Sequence, residues 1–319
     1  MHTNLNGYRS LKKERLKQKF PLVTDDDLQY YEGKENVMIE ILAYKFSKTN
    51  FEYMKKIIYI LLAASLLAGC VLNAVTGRKQ LSLVNESELQ LMAADQYSTF
   101  LSDNKVLNPR NNKDAEMVHR TGTNIANAIG NYYSSKGQES ILEGYKWEFN
   151  TIDSKEVNAW CMPGGKVVIY TGLLPVTGNE AALAIVMGHE IAHAVAKHGN
   201  ERMSQGLVQQ MGGMALSVAI SQQPQQTQDL FLMSFGIGSA IGAMLPWSRQ
   251  QETEADKFGL IFAAMAGYDP REAIPFWQRM SEAGGGSPPE FLSTHPSDET
   301  RMKNLENFMP EALKFYIPR

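Results

Sequence analysis

The chain has 319 residues, is 44% hydrophobic and 20% charged, and carries a net charge of −3. That globular balance accommodates one catalytic domain of roughly 200–250 residues with extra segments, and it gives no footing to a nucleic-acid partner. The two cysteines, Cys70 and Cys161, do not make a disulfide framework.

The first 53 residues are largely polar. Residues 11–20 are basic with helical character, and Thr24 followed by Asp25, Asp26 and Asp27 has the form of a helix start, a hydroxyl cap with acids in the first turn. The stretch LKQKFPLVTDDDLQYYEGKE resembles the small CsbD-like stress-response proteins, which implies a helical segment over 1–53. A different signal occupies 54–70. Lys55 and Lys56 precede the uncharged apolar run 57–68, and Leu67, Ala68, Gly69 and Cys70 close it. The run falls short of the roughly 20 residues that span a bilayer, and its basic start and small-residue end describe a secretory signal. The ending LAGC resembles a lipobox, which implies cleavage before Cys70 and a lipid anchor on that cysteine. Val71 lacks the acidic character that retains some lipoproteins at the inner membrane, so the expected location is the outer membrane, facing the periplasm. A secretory signal belongs at an N-terminus. Residues 1–53 are therefore either a true fusion or an upstream reading frame joined to a start at Met54, and the hindrance of polar residues to export favours the second.

A polar linker after Cys70 leads into the domain expected over 71–319. Helical character covers 85–101 and 113–133, and 134–144 reads as a loop. Residues 145–153 alternate, with Tyr145, Trp147, Phe149 and Thr151 on one face and Lys146, Glu148 and Asn150 on the other, which predicts a strand. Strands over 158–162 and 166–171 flank Pro163-Gly164-Gly165, a hairpin signal. The rest reads as helices, so the fold class is α+β, mostly helical with a small mixed β-sheet. The edge formed by Asn158, Ala159 and Trp160 is the expected place for an extended substrate to add as a strand. Cys161 beside it reads as a buried free cysteine rather than a reactive thiol.

Thr177 and Glu180 have the spacing of a capping box, opening a helix expected to run to Gly199. It is apolar on nearly all sides, yet holds His189, Glu190 and His193. Histidines four apart lie on one helix face and can hold one tetrahedral zinc, with Glu190 beside the first of them as the base for a water. Burying these groups with no partner would cost several kcal/mol. His198 reads as structural, on the far side of the same helix, and His119 as a surface residue. Residues 203–247 are rich in Met, Gly and Ala, with no charge over 230–245, and read as a helical hairpin packed around the site through Gly236, Gly238 and Gly242, with a membrane-dipping segment and a flexible lid as the alternatives. A second capping box, Ser248 to Gln251, opens a helix ending near Gly267 that carries Glu252 and Asp256 on a close-packing face. Glu252 is the expected third metal ligand. Asp256, one turn on, is the expected acceptor for a ligand ring N–H, and Glu254 is expected to pair with Lys257 at the surface. Farther on, His295 and Arg301 are candidates to stabilise an oxyanion. His295 also fits a fourth zinc ligand that closes the site at rest, or a turn histidine before Pro296.

HEIAH followed by SRQQETEAD resembles the zinc metallopeptidase family of CAAX-prenyl endopeptidases, HtpX-like proteases and Oma-type peptidases. TGRKQLSLVNESE, NAWCMPGGKVVIYTG and STHPSDETR are similar to its bacterial lipoprotein branch. The resemblance implies a zincin-like (gluzincin) domain with one Zn2+ per chain held by His189, His193 and Glu252, and Glu190 as base. It also implies a metalloendopeptidase acting on misfolded or misassembled envelope proteins. The alternative on the same fold is a catalytically silent lipoprotein chaperone.

Overall fold

The computed structural model describes residues 70–211, 224–235, 248–283, 290–295 and 299–318, with scattered residues between 14 and 45. The chain divides into two units, Met1–Ala68 and Gly69–Arg319. In the first, Lys17 pairs with Glu14 at 2.6 Å and Asp25 at 2.9 Å. The apolar run 57–68 and Gly69 lie outside the described residues, as does most of the CsbD-like stretch. Among the described residues no helix is long and apolar enough to cross a membrane.

The second unit is mostly helical around a small mixed sheet. It begins where a linker was expected, with a hairpin of β1 (Cys70–Leu72) and β2 (Lys79–Leu81) in antiparallel register, Cys70 opposite Leu81. Strands this short show no alternating pattern, so their pairing is invisible in the sequence. Helix α1 (Glu86–Asp103) starts at Asn85, whose side chain accepts from Ser87 N, and α2 (Lys113–Ser135) starts at Asn112, which accepts from Ala115 N. Each cap satisfies a backbone donor that lacks an intrahelical acceptor.

The main sheet comprises β3 (Val106–Leu107), β4 (Glu148–Ile152), β5 (Ala159–Met162) and β6 (Lys166–Tyr170), in the order β3-β4-β6-β5. β4 runs parallel to β6 and the other pairs are antiparallel. β5 and β6 form the expected hairpin through Pro163, Gly164 and Gly165. The two glycines take φ of 76° and 82°, a region side chains disfavour. β5 is the sheet edge. Ala159 and Cys161 face the core shared with the metal-site helices, while Trp160 and Met162 face the opposite cluster, where Trp160 packs edge-on against Tyr97 and Phe100.

After α3 (Leu174–Thr177), Gly178 turns at φ 70° and α4 (Glu180–Val195) begins. Its cap is Asn179, which accepts from Ala182 N, whereas Thr177 Oγ1 donates to Leu174 O and closes α3. The Thr177–Glu180 capping box is thereby corrected: with asparagine next to the first turn, the amide oxygen takes the cap position. Residues 182–195 are all buried. The helix does not run to Gly199. It ends at Val195, and Lys197 at φ 55° turns the chain into α5 (His198–Met211). α6 (Pro224–Phe235) packs on α5, with Leu230 against Gly206 and Phe235 against Gly199. Gly236, Gly238 and Gly242 of the expected hairpin lie outside the described residues.

α7 (Arg249–Met265) carries the predicted capping box, with both Ser248 and Gln251 contacts present. α8 (Ala273–Glu282), α9 (Glu290–Thr294) and α10 (Glu299–Ala312) complete the unit. α4 and α7 cross at two glycines. A Cβ built on Gly188 would lie 2.6 Å from Gly259 O, and one on Gly259 would lie 2.7 Å from His189 N. Only residues without side chains permit that approach, and it sets Glu252 and Asp256 against the histidines of α4.

Candidate metal centre

Four buried side chains converge. His189, His193, Glu252 and His295 each offer one donor atom, and these atoms all lie within 4.8 Å of one another. His189 Nε2 is 3.1 Å from His193 Nε2 and 3.1 Å from His295 Nδ1. Glu252 Oε1 is 3.2 Å from His193 Nε2 and 2.9 Å from His295 Nδ1. Zinc–nitrogen bonds of about 2.0–2.1 Å in a tetrahedron place donors about 3.3 Å apart, so these separations fit the edges of one coordination shell. The chemistry agrees. With its proton on Nδ1, toward Asp256, His189 turns the Nε2 lone pair to the same point as two other ring nitrogens and a carboxylate oxygen, a donor set that one cation satisfies together. Burial pushes His189 and His193 well below the usual imidazole range, which keeps both neutral, as metal ligation requires. Burial alone would raise Glu252, but His295, Arg301 and His189 together hold it well below the usual carboxylate range.

Glu190 lies beside this cluster, next to His189 on α4. Its Oε1 is buried with no hydrogen-bond partner among the described residues, 3.5 Å from His295 Nε2. Burial, and then the charge of Glu252, hold its carboxyl well above the usual range. A carboxyl tuned upward beside a donor cluster is suited to receive and release protons near neutrality.

Behind the donors, Asp256 Oδ1 lies 2.9 Å from His189 Nδ1. Burial lifts Asp256 to about 6 against the opposing pull of Arg301. Arg301, from α10, is itself buried. It donates to both Asp256 oxygens at 2.8 and 2.7 Å and to His295 O at 3.2 Å, lies 3.0 Å from Glu252 Oε2, and stacks 3.5 Å above the Trp277 ring. These contacts put its guanidinium behind the donors, on the ring Nδ1 side of His189, where it braces two carboxylates. His295 stacks on Phe291 of α9, and Phe291 N donates to Val157 O at 3.1 Å, which ties α9 to the strand edge. Asn158 Oδ1 accepts from Ala159 N at 2.9 Å. Asn158 O accepts from Tyr170 N, so by antiparallel alternation Ala159 and Cys161, both buried, turn their backbone groups away from β6. Trp160 contributes no side chain to the α4 face.

Two other sequence expectations change. His198 starts α5 instead of extending α4, and the turn at Lys197 brings its Nδ1 within 3.0 Å of His193 Nδ1. Glu254 does not pair with Lys257, which takes Glu311 at 3.0 Å. Instead Glu254 meets His198 Nε2 at 2.9 Å and Arg78 Nε at 2.7 Å. No local pattern could reveal these contacts, because Arg78 and Glu254 are 176 residues apart. His119 is exposed and edge-on to Phe149, and Cys161 is free and buried.

Residues 113–309 match peptidase family M48. Among curated relatives, mitochondrial metalloendopeptidase OMA1 of Arabidopsis thaliana is 39% identical over 181 residues, 56% of this chain and 35% of that protein. OMA1 of Schizosaccharomyces pombe is 31% identical over 240 residues, 75% and 66% of the two. The beta-barrel assembly-enhancing protease of Escherichia coli is 30% identical over 166 residues, 50% and 34%. The chain thus spans between about a third and two thirds of the length of these relatives. The family match covers β4, β5, β6 and the helices that bring His189, His193, Glu252 and His295 together, and the chain belongs to peptidase family M48.

Proposed function

We propose that the protein is a zinc-dependent endopeptidase of the bacterial cell envelope, with His189, His193 and Glu252 as zinc ligands and Glu190 as the base. The observation that carries this reading is the convergence of four buried donors beside a buried, unpartnered carboxylate oxygen on the neighbouring residue of the same helix. A bound zinc supplies Lewis acidity toward a peptide carbonyl and acidifies water. Glu190 takes the proton from the attacking water and delivers it to the leaving amine. Asp256 fixes the His189 ring by accepting its Nδ1–H, and Arg301 neutralises Asp256 and Glu252 so that both carboxylates stay in place. His295 acts as a fourth donor that closes the site at rest. The backbone groups of β5 that face away from β6 hold substrate as an added strand, which selects extended, unfolded chains over any particular side chain.

The name of the E. coli relative, a protease that enhances beta-barrel assembly, supports misassembled proteins as substrates. The LAGC ending and the exposure of Cys70 support a lipid anchor there, with residues 54–70 as its signal and residues 1–53 outside the enzyme. Mass spectrometry of the membrane-associated protein would find an acylated N-terminal cysteine, and an unmodified chain retaining residues 1–69 would overturn the anchor. The enzymatic test is cleavage of casein by the purified protein. Zinc-loaded protein cleaves it. Chelation abolishes cleavage, and Glu190→Gln lowers kcat by about 10²–10⁴-fold while retaining zinc. A Glu190→Gln variant as active as wild type overturns the base assignment, and a zinc-loaded wild type with no activity, even after His295→Ala, favours a chaperone.

A further inference from the structure

His189 and His193 each turn a second ring nitrogen away from the donor cluster, and the two are supported differently. His189 Nδ1 meets the carboxylate of Asp256 directly. His193 Nδ1 faces His198 Nδ1 at 3.0 Å, and His198 Nε2 faces Glu254 Oε2 at 2.9 Å. Arg78 grips Glu254 with Nε at 2.7 Å from Oε1 and Nη2 at 3.2 Å from Oε2. Its outer nitrogens hold Glu201 at 2.6 and 2.7 Å, and Gln251 Nε2 donates to the same Glu201 carboxylate at 2.9 Å. His198 is fully buried. Arg78 belongs to the β1–β2 hairpin, and two more residues of that hairpin, Asn73 and Gln80, donate to Ala196 O just beyond the end of α4.

With neutral rings, one proton arrangement serves all of these contacts. His193 Nε2 points into the donor cluster, so its proton sits on Nδ1 and is donated to His198 Nδ1. His198 then carries its own proton on Nε2 and donates it to Glu254. The Arg78 fork fixes the plane of that carboxylate, which a lysine would hold only as a point charge. We propose that Arg78, Glu254 and His198 form a positioning relay that sets the tautomer and the ring orientation of His193, making the β1–β2 hairpin part of the metal centre although it supplies no donor. The proposal rests on the reading of His193 as a ligand.

The test uses the full chain with Co2+ as a spectroscopic probe, and it compares wild type with His198→Phe, Glu254→Gln, Arg78→Met and Arg78→Lys. Dissociation constants come from chelator competition, and melting of the metal-free proteins separates metal effects from folding. The relay predicts a 10–100-fold weaker Co2+ affinity and altered visible bands in His198→Phe, in line with the loss of an outer partner of a ligand histidine. Glu254→Gln and Arg78→Met weaken binding singly but add nothing in the His198→Phe background, because the chain is already cut. Arg78→Lys restores part of what Arg78→Met loses. Unchanged affinity and spectrum in folded Glu254→Gln and Arg78→Met overturn the relay, as do losses that simply add to that of His198→Phe. Should His198→Phe not fold, the Glu254→Gln and Arg78→Met pair decides by the same criterion. A wild type that binds no Co2+ overturns the metal reading itself, which distinguishes that failure from failure of the relay.

Discussion

At the residue scale, His295 is the side chain whose role the geometry sharpens most. Its Nδ1 sits 2.9 Å from Glu252 and 3.1 Å from His189, within the donor cluster rather than beside it. If it serves as fourth donor, His295→Ala loosens metal retention while turnover at saturating zinc equals or exceeds that of wild type. A lost oxyanion donor would instead leave metal retention intact and lower kcat by about 10²–10³-fold. Chelator competition together with casein kinetics separates the two, and a variant unchanged in both would show that His295 does not engage the metal. His189, Glu190 and His193 stood out because spacing on one helix is local information, whereas Glu252 stood out as a carboxylate on the close-packing face of a second helix. Arg301 was read as a candidate to stabilise an oxyanion. Its commitment to Asp256 arises from the packing of α10 against α7, a contact between residues 45 apart.

At the element scale, the site depends on how α4 and α7 cross. Gly259→Ala would push a methyl group into His189 N and Cα. Overpacking of this kind costs about 1–3 kcal/mol, and here the strain falls on a donor-bearing turn. Denaturant melts should therefore show the stability loss, and metal affinity should fall with it; full stability with unchanged affinity would mean that the helices can separate freely. The start of α4 carries a pH signature. Burial works to raise the Glu180 carboxyl, but hydrogen bonds from Arg120, Tyr268 and Thr121 outweigh it, so the group titrates below its usual range. A carboxyl depressed in the folded state adds stability that is fully present above its unfolded value of about 4.5 and is lost as pH falls through the lower folded value. Glu180→Gln should thus lower melting temperature at pH 7 and lose the advantage of wild type as pH drops below about 4.5. A constant difference across that range would contradict the assignment. The capping box of α7 was legible because serine and Gln251 act across one turn. The end of α4 was not, because a lysine rather than a glycine takes the left-handed position, and that choice places His198 against His193.

At the scale of the whole molecule, the donors come from three elements, α4, α7 and the end of α9, and the groups that brace them come from the hairpin, α5, α7 and α10. A ligand that binds only the folded state stabilises it by about 2.7 kcal/mol at one hundred times its dissociation constant. Zinc removal should accordingly lower the melting temperature, by more for samples first held at higher zinc. A melting temperature insensitive to chelation would argue that no metal is bound. The α+β class and the strands over 145–153 and 158–171 followed from periodicity and turn residues, whereas the hairpin at Cys70–Leu81 escaped because its reason for forming is the far end of α4. The burial of Arg301 between Asp256 and Glu252 has one more consequence. HEIAH is synthesised more than a hundred residues before the arginine that balances the carboxylates behind it. A ribosome-bound or truncated chain would hold the sequence motif without its finished surroundings. Assembly of the centre therefore reports that the fold has closed, and under the proposed function cutting power would arise only once the chain has ceased to be an unfolded substrate.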